Sequence, residues 1–451
     1  MSDLVSTLES LPIASPALNA LHLQKLKKLL RYTAETSPYY REKYRNAGVD
    51  PEGLGSLAEY AAFPLFDKYE ERDSQARSLK ELGHPLGMHL CCDIRSVNRI
   101  SASSGTSGTP SFQGHTKNDR DIILHNFRRL ADVAGITPGD RVMMAGVMSM
   151  WVAGIPTVDA LLNFGANVIP IGGLVGSEKV IEMMQLTHPE VLVCTPSFAR
   201  RLVAKARDEL KVDLQTVGVD KLFVYGEPGG SVPAIVEELS TAFGGAQIFD
   251  LAGGTGCLNP IFVSCVANDG MHFIAPDYAY IELYDRATDT VLPLEDGATG
   301  EFVYTGLDRE CGPLIRFADG DLVRVTLKPC SCGLPGMRVS ILGRVDDMLL
   351  VKGVNVFPSA IRDLILAFDD EVTGSVRIVR TGSGPVVEPP LAVKVECRGR
   401  PDERQLAELK ARIEQRIQGR LRFRADVTLF VEGDLPAEYG ATGKAKLIES
   451  V

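Results

Sequence analysis

The first feature with chemical potential is a run of small, hydroxylated and turn-forming residues at 101–110. It reads SASSGTSGTP and contains four serines, two threonines and two glycines but no charged side chain. Glycines let the backbone turn so that several N–H groups converge, and neighbouring hydroxyls add donors, so the run suits phosphate oxygens. Because it lacks the built-in lysine of a P-loop, a phosphate bound here would need a cation from elsewhere in the chain. The alternative is a surface linker, although the flanking segments RSVNRI and SFQGHT have the character of strands.

Three cysteines and a histidine form a second set of residue types that could do chemistry. Cys330 and Cys332 lie two residues apart and are followed by a glycine, and Cys265 and His272 lie seven residues apart upstream. Three thiolates and one imidazole suit tetrahedral Zn²⁺, and four protein ligands would make the metal structural. The alternative is a group of buried cysteines with a capping histidine.

The elements that would position these residues change character along the chain. The first 90 residues have the pattern of helices and loops, and from about Asp140 short apolar strands alternate with amphipathic helices, which predicts a layered α/β domain with a mostly parallel sheet. From Met271 the segments have the pattern of antiparallel strands with short turns. We therefore predict an α/β protein with a large N-terminal layered domain at 1–345 that carries an added β-rich subdomain, hinged to a small α+β C-terminal domain at 346–451.

The charge, the start of the chain and the cysteine content argue against several classes of protein. The net charge of −10 argues against a nucleic-acid partner or a polybasic membrane contact. The start, MSDLVSTLES, lacks the pattern of a signal peptide, and no apolar run reaches about 18 residues, so we expect a cytoplasmic protein without a membrane span. In a reducing compartment the nine cysteines would be buried residues or metal ligands rather than disulfides. Core positions are predicted for Cys91, Cys92, Cys194 and Cys397, and Cys257 and Cys311 are weaker substitutes in the zinc set.

The glycine–hydroxyl run belongs to an ordered set of five segments. The others read SPYYREKYRNAGVDPEGLGSLAEYAAFPLFDK, TGLDRECGPLIRFADGDLV, GRVDDMLLVKGVNVFPSAI and GATGKAKLIE. Taken in this order, the set resembles the adenylate-forming superfamily of AMP-forming acyl-CoA synthetases and peptide-synthetase adenylation domains. Within it, the chain is most similar to the phenylacetate–CoA ligase branch, and the resemblance spans nearly the whole sequence.

The resemblance implies a two-step reaction. A carboxylate attacks the α-phosphorus of ATP to give an acyl-adenylate and pyrophosphate, and a thiol then attacks the mixed anhydride and releases AMP. It implies that Lys444 supplies the missing cation by contacting the carboxylate and the α-phosphate, with Lys446 as the weaker candidate. The residues implied to hold the β- and γ-phosphates are Ser103, Ser104, Gly105, Thr106, Ser107, Gly108 and Thr109.

Further nucleotide contacts follow from the same resemblance. Asp321 would accept both ribose hydroxyls, Arg344 would follow the ribose and phosphate, and the segment containing Gly226, Glu227 and Pro228 would stack against adenine. The sequence at this aspartate is Asp319-Gly320-Asp321, where the family usually has Thr-Gly-Asp, so Asp319 adds a negative charge. Without the resemblance, these three residues would predict a hairpin turn.

The mobile part of the site is also implied by resemblance. Asp346 would be the hinge of the small domain. Lys352 and Gly353, in KGVNVFP, would swing toward the site for the second step, where the glycine leaves a narrow tunnel for the pantetheine arm of CoA or of a carrier protein. Such a rotation lets one site serve two reactions that need different neighbours.

One segment departs from the family pattern. DLAGGTGCLNP keeps Thr255, which we take as catalytic, but has Ala252 at the usual aromatic position and Gly256 in place of a glutamate that helps to hold Mg²⁺. Mg²⁺ keeps several waters, so water or another carboxylate could substitute. The alternatives are weakened or lost catalysis, and an acyl pocket enlarged at Ala252 and Gly253.

The acid is indicated by the aromatic residues of the region that resembles the acyl pocket. Trp151 and Phe198 would line an apolar cavity that favours an aryl or arylacetic acid, although ordinary core positions are the alternative. Three hypotheses follow: an acid–thiol ligase that uses CoA, a ligase that loads a carrier protein, and a non-catalytic nucleotide- or acyl-binding relative. Some members that resemble this chain carry such a zinc, which supports the Cys/His set. The oligomeric state, including a homodimer, stays open.

Overall fold

A computed structural model describes residues 3–103, 110–227, 229–253, 260–345, 347–351, 354–368, 370–380, 386–435 and 447–450. The helices described are α1 (Asp3–Ser10), α2 (Pro16–Thr36), α3 (Pro38–Ala47), α4 (Leu57–Tyr60), α5 (Lys68–Leu82), α6 (Lys117–Ala134), α7 (Ile155–Phe164), α8 (Ser177–Thr187), α9 (Pro196–Ala204), α10 (Pro233–Ala242), α11 (Pro358–Leu366) and α12 (Glu403–Leu421).

The strands described are β1 (Phe66–Asp67), β2 (Arg99–Ala102), β3 (Phe112–His115), β4 (Arg141–Met144), β5 (Asn167–Ile169), β6 (Val191–Cys194), β7 (Lys221–Tyr225), β8 (Gln247–Ala252), β9 (Phe262–Ser264), β10 (Met271–Phe273), β11 (Ala279–Asp285), β12 (Thr290–Leu292), β13 (Thr299–Gly306), β14 (Phe317–Thr326), β15 (Arg338–Arg344), β16 (Leu349–Val351), β17 (Val354–Val356), β18 (Val372–Arg380), β19 (Val386–Val387), β20 (Leu391–Cys397), β21 (Ala425–Phe430) and β22 (Ile448–Ser450).

A single large sheet organises the first three quarters of the chain. Its described strands run in the order β12-β11-β13-β14-β15-β10-β9-β8-β7-β6-β4-β5, with β1 beside β14. Strands β4 to β8 pair in parallel, and from β8 to β12 each successive pair along this order is antiparallel. The predicted α/β class is therefore confirmed. The β-rich part continues the parallel sheet edge to edge, because β9 pairs with β8, and does not form a sheet of its own.

The parallel strands are buried because helices cover both of their faces. In β6, Leu192 and Cys194 belong to a core shared with α8, α9 and α10. Val191 and Val193 point to the opposite face and join a core shared with α1, α6 and α7. This alternation follows from the two-residue period of a strand. It explains why these strands have continuous apolar sequences, as parallel strands covered on both faces usually do.

The N-terminal helices pack against the antiparallel end of the large sheet through aromatic residues. Tyr40, Tyr44, Tyr60 and Phe63 are buried in one cluster, and Phe66 stacks near Tyr40. This cluster contains the SPYY segment at the start of α3. None of the helices in the described ranges is both long enough and apolar enough to cross a membrane.

The last hundred residues form smaller sheets around a separate core. One sheet has the order β21-β20-β18-β22 and another the order β17-β16-β19. Helices α11 and α12 contribute Ile361, Ile365, Ile413 and Ile417 to a core shared with these strands. The alternation of strands and helices predicted for this region is confirmed. We call this part of the structure the C-terminal module.

Candidate functional site

The glycine–hydroxyl run lies between two paired strands. Strands β2 and β3 are antiparallel from Arg99 opposite His115 to Ala102 opposite Phe112. At the mouth of the loop the Ser103 N–H donates to the Ser111 carbonyl at 2.8 Å, and the Ser111 N–H donates to Ser103 Oγ at 3.3 Å. The two flanking strands predicted from sequence are confirmed, so the run connects the strands of a hairpin and is not a free linker. We call β2, β3 and their connection the phosphate hairpin.

Helix α5 supports the phosphate hairpin through polar side chains that the sequence analysis missed. Gln75 Nε2 donates to the Phe112 carbonyl at 2.7 Å, and Gln75 Oε1 accepts from the Phe112 N–H at 2.9 Å, as a neighbouring strand would. One turn earlier, the buried carboxyl of Glu71 accepts from Gln113 Nε2. Burial raises the pKa of Glu71 to about 7, although Ser111 and Arg309 oppose the shift. The sequence contains only a weak indication of this supporting role, because the helix has no clear apolar stripe. Its buried face is polar and consists of Glu71, Ser74, Gln75 and Ser78.

Asp321 and Arg344 are brought together by the register of β14 and β15, in which they are direct partners. Arg344 Nη1 donates to Asp321 Oδ1 at 2.9 Å, and Arg344 Nη2 donates to the Asp319 carbonyl at 3.1 Å. The hairpin turn that the local pattern predicts at residues 319–321 is wrong, because these residues lie inside β14. Gly320 has a φ of +89°. It lies where the register with β13 shifts, because Glu301 pairs with Leu322 but Val303 pairs with Ala318. The glycine therefore marks a bulge within the strand, which re-aims side chains as bulges do.

The extra negative charge of Asp319 has a partner that was not predicted. Lys68 Nζ lies 2.7 Å from Asp319 Oδ1, and the Tyr304 hydroxyl approaches Asp319 Oδ2 at 3.5 Å. Asp319 is only 7% exposed, so a cation close to it is needed to offset the loss of hydration. Lys68 is the first residue of α5, and this contact ties the start of that helix to the strand that carries Asp321.

The remaining predicted residues of the nucleotide and acyl sites gather at one edge of the sheet. Strands β4, β6, β7 and β8 are parallel neighbours, so their carboxyl ends meet there. In α/β sheets this edge is where ligands bind. The residues that follow these strands are Trp151 after β4, Phe198 after β6, Gly226 and Glu227 after β7, and Ala252 and Gly253 at the end of β8.

Trp151 is attached directly to the phosphate hairpin. The Ala102 N–H donates to the Met150 carbonyl at 2.7 Å, and the Val152 N–H donates to the Ala102 carbonyl at 3.2 Å. This bridge places the indole-bearing residue beside the last residue of β2, so the predicted acyl region and the predicted phosphate region are neighbours. Trp151 is half-buried.

Phe198 and Ala252 have different surroundings. Phe198 is 6% exposed and packs in the core beneath α8, α9 and α10, with the Arg201 guanidinium 4.8 Å from its ring centroid. The core alternative stated for Phe198 therefore describes its position. Ala252 is half-buried beside the core of the antiparallel strands, and Gly253, which follows it, is exposed.

Two acidic residues hold the loops at this edge. Glu227 Oε1 accepts from the Ser197 N–H at 2.6 Å, which occupies one of the free amide groups at the start of α9. Asp250 accepts from Ser231 Oγ at 2.7 Å, and burial raises its pKa to about 7. Gly230 packs so closely that a Cβ there would lie 2.6 Å from Asp250 Cγ. The second glycine after YGEP, Gly230, is thus required by close packing.

The four residues of the predicted zinc set converge. The Sγ atoms of Cys265 and Cys330 lie 3.6 Å apart, and Cys332 Sγ lies 3.5 Å from His272 Nε2. All four ligand atoms lie within 4.8 Å of one another. Zn–S bonds of about 2.3 Å in a tetrahedron place sulfur atoms a little under 4 Å apart, so these side chains fit the ion. We call them the Cys/His cluster.

The protonation of the Cys/His cluster is also consistent with a metal. Burial lowers the pKa of His272 to about 4, which keeps the imidazole neutral and able to ligate. Burial raises the pKa of Cys265 to about 12, so a thiolate there needs a nearby cation. Arg338, opposite His272 in the register, is buried and donates to Asp269 Oδ2 at 2.7 Å and to the Lys328 carbonyl at 2.9 Å. It joins the two loops that carry the cysteines.

Part of the predicted site lies outside the described residues. These positions are Ser104, Gly105, Thr106, Ser107, Gly108, Thr109, Pro228, Thr255, Asp346, Lys352, Gly353 and Lys444.

Comparison with known proteins gives matches along the whole chain. Residues 353–449 match the family model described as the AMP-binding enzyme C-terminal domain. The chain is 31% identical over 454 residues to the phenylacetate-coenzyme A ligase of Thermus thermophilus, and the alignment covers 96% of each protein. It is 31% identical over 354 residues to the enzyme of the same name from Escherichia coli, covering 78% of this chain and 77% of that one.

Solved structures of 2-hydroxyisobutyryl-CoA ligase are also similar, at 28% identity. The structure of that ligase in the postadenylation state, with 2-HIB-AMP, superposes with a TM-score of 0.86 over 98% of this chain and 91% of the ligase. The structure in the thioesterification state, with 2-HIB-AMP and CoA, gives 0.69 over the same shares. The arrangement described here is therefore more similar to the postadenylation state.

Proposed function

Because the chain belongs to the phenylacetate–CoA ligase family of AMP-forming acid–thiol ligases, we propose that it activates an aryl or arylacetic acid with ATP and transfers the acyl group to CoA. The observation that carries the proposal is the full-length similarity to phenylacetate-coenzyme A ligases. The geometry supports it, because the phosphate hairpin, the Asp321–Arg344 pair and Trp151 are each fixed by neighbouring strands of the fold. A carrier-protein arm is the alternative acceptor.

The described residues would bind the nucleotide as follows. Asp321 keeps an exposed side-chain surface of about a quarter while Arg344 holds it, so its carboxylate is available to the ribose hydroxyls. Gly226 and Glu227 border the adenine, together with Pro228. Ser103 and residues 104–109 of the phosphate hairpin donate to the β- and γ-phosphates. Since charge builds on phosphate oxygens during adenylation, donors fixed in advance are the main source of rate.

The cation and the second half of the site belong to the C-terminal domain in this proposal. The N-terminal domain spans 1–345 and the C-terminal domain 346–451, with Asp346 as the hinge. Lys444 contacts the carboxylate and the α-phosphate in the first step. Lys352 and Gly353 line the path of the pantetheine arm in the second step.

Two metals complete the proposal. Mg²⁺ would accompany ATP, neutralising phosphate charge, near Thr255 and largely through water, because Gly256 stands where a carboxylate ligand is usual. A structural Zn²⁺ would be held by the Cys/His cluster, whose distances and neutral imidazole fit it. A cytoplasmic location is part of this proposal, because a reducing compartment keeps the thiols available as ligands. A homodimer is not required by it.

The test of the function is pyrophosphate release with ATP, Mg²⁺ and a panel of aromatic acids, followed by mass detection of the thioester after CoA is added. We expect at least one aryl or arylacetic acid to stimulate release and to appear as its CoA thioester. Release without a CoA thioester would favour a carrier-protein acceptor. No stimulation by any acid would favour the non-catalytic binding protein.

The proposed role of Lys444 is tested by Lys444→Ala. We expect the rate of adenylate formation to fall by about 10²–10³-fold, because a pre-organised charge contact to the reacting phosphate is lost. Thioester formation from supplied acyl-adenylate should largely survive. The matched control is Lys446→Ala, which removes the neighbouring lysine and should keep most of the activity. Equal loss in both half-reactions would assign Lys444 a structural role instead.

A further inference from the structure

Arg200 joins the parallel-sheet part of the protein to the C-terminal module. Its side chain leaves α9, and Nε donates to Glu238 Oε2 on α10 at 2.8 Å. Nη2 of the same guanidinium donates to the Thr373 carbonyl on β18 at 2.8 Å. The side chain is 19% exposed. A guanidinium held at two points in a partly buried setting is a directional contact, because its donors are fixed in one plane.

The acceptor, Thr373, lies in a bulge of β18 that leaves space for the Arg200 side chain. The register between β18 and β20 shifts between Val372 and Val376. Within the shift, Gly374 has a φ of +88°, and a Cβ there would lie 2.4 Å from Arg200 Nη1. A side chain at this position would displace the guanidinium. A bulge interrupts strand pairing and re-aims the side chains of the bulged strand.

The same bulge holds the chain that leads into residues 436–446, where Lys444 is found. Ser375 Oγ donates to the Leu435 carbonyl at 2.7 Å. Thr373 Oγ1 donates to Glu396 Oε2 at 2.6 Å, and Glu396 Oε1 accepts from the N–H groups of Gly433 and Leu435 at 3.0 and 3.1 Å. Arg200 is thus separated from the start of this segment by two hydrogen-bonded residues.

The far end of that segment returns to the same strand. The Ile378 N–H donates to the Leu447 carbonyl at 2.8 Å, and β22 then pairs in parallel with β18. Both described ends of the segment that contains Lys444 are therefore fastened to β18. Whatever sets the position of β18 relative to the large sheet also sets where this segment begins and ends.

We propose that Arg200 is a positioning residue for adenylate formation. Its bridge from Glu238 to Thr373 holds β18, and with it the described ends of the segment that contains Lys444, in the arrangement that is more similar to the postadenylation state than to the thioesterification state. The inference rests on the proposed function, because it assigns Lys444 to the first step. It predicts that Arg200 supports one half-reaction and is dispensable for the other.

The kinetic test compares the two half-reactions in three variants. Arg200→Ala should lower the rate constant of adenylate formation by about 10-fold or more, the effect of losing a charged hydrogen bond, with little change in the KM for ATP. Thioester formation from supplied acyl-adenylate and CoA should be unchanged or faster. Arg200→Lys, which keeps the charge and a donor, should recover part of the loss.

The matched control is Lys205→Ala. Lys205 lies five residues further along the same helical stretch, and its ion-pair partners Glu178 and Glu209 both belong to the parallel-sheet part of the protein. Its replacement should leave both half-reactions unchanged. Equal losses of both half-reactions in Arg200→Ala, or no loss of either, would overturn the proposal.

A measurement independent of catalysis separates this inference from the proposed function. Small-angle X-ray scattering of the unliganded wild-type protein and of Lys205→Ala should fit the arrangement described here, and Arg200→Ala should deviate from it. If no acid is adenylated by the wild type, the function fails while this comparison still tests the bridge. An Arg200→Ala profile identical to that of the wild type would overturn the bridge even in an active enzyme.

Discussion

The phosphate hairpin and the Cys/His cluster are two regions where loops beside the candidate site are fixed by different chemistry. The hairpin is supported by Gln75, which exchanges two hydrogen bonds with the backbone of Phe112, and by the buried carboxyl of Glu71, which accepts from Gln113. The cluster brings together three thiols and an imidazole that satisfy few hydrogen bonds among themselves. We expect the first arrangement to respond to protons and the second to respond to the proposed Zn²⁺. Stability and pH dependence therefore distinguish the two regions experimentally.

The largest expected effect is on the Cys/His cluster, when the proposed Zn²⁺ is removed. A structural ion present at about 1,000 times its Kd contributes about 4 kcal/mol to the free energy of unfolding, so a chelator, or Cys330→Ser, should lower the Tm by several degrees. Metal analysis of protein purified without chelator, followed by thermal unfolding with and without added Zn²⁺, measures this. Recovery of the Tm on adding Zn²⁺ to chelated wild-type protein is the control. Less than about half an equivalent of metal, or a Tm that ignores the chelator, would contradict the zinc site.

The next effect concerns Glu71 and has a definite sign. Burial raises the pKa of its carboxyl from 4.5 to about 7, so between these values the folded protein binds more protons than the unfolded chain. The contribution of Glu71 to stability is therefore fully present below pH 4.5 and is lost as the pH rises through 7. We expect Glu71→Gln to be more stable than the wild type by up to about 3 kcal/mol at pH 8, a gain that disappears near pH 5.

Urea unfolding of both proteins between pH 5 and pH 8 measures this difference. Glu81→Gln is the matched control, because Glu81 lies on the same helix but is about half exposed, in a surface pair with Arg77. Its free energy of unfolding should differ from that of the wild type by no more than about 0.5 kcal/mol, as for other surface substitutions. A Glu71→Gln variant that is less stable than the wild type at pH 8 would contradict this expectation. It would mean that the neighbours of Glu71 favour its ionised carboxylate.

The smallest of these effects tests a part of the hairpin support that has no charge. Gln75→Ala should lower the free energy of unfolding by about 2 kcal/mol, because the N–H and carbonyl of Phe112 lose their partners. The loss should not depend on pH or on chelator, and the KM for ATP should rise as the hairpin loosens. Gln75→Glu keeps the acceptor for the Phe112 N–H, and at low pH its protonated carboxyl can also donate to the Phe112 carbonyl. Its free energy of unfolding should therefore fall less at low pH. A Gln75→Ala variant as stable as the wild type would show that water replaces the side chain.

The secondary structure could be predicted from sequence where burial has a simple period. Strands β4 to β8 have continuous apolar sequences because both of their faces are covered, and the helices between them have one apolar face. The edge-to-edge continuation from β8 to β9 could not be read, because strand pairing depends on contacts between residues that are not periodic in the sequence. The cysteines and the histidine could be listed from their types, but their convergence depends on the pairings of β10 with β9 and β15.

The candidate site shows where sequence patterns stop being informative. Asp321 and Arg344 were found through the family motif, and the register confirms that they are neighbours. Lys68 was missed because its partner, Asp319, is 251 residues away and only the tertiary fold brings them together. Glu71 and Gln75 were missed because a helix that buries polar groups has no apolar stripe to reveal its inner face.

Helix α5 contacts both the nucleotide strand, through Lys68, and the phosphate hairpin, through Gln75. Asp319 on β14 and Phe112 on β3 are distant in the chain, and both are held by this one helix. A shortened version of this protein that begins after residue 90 would lose helix α5, and it would also lose α1, which covers one face of the parallel strands. The N-terminal helices are accordingly part of the framework of the candidate site, and they should not be trimmed in the search for a minimal functional unit.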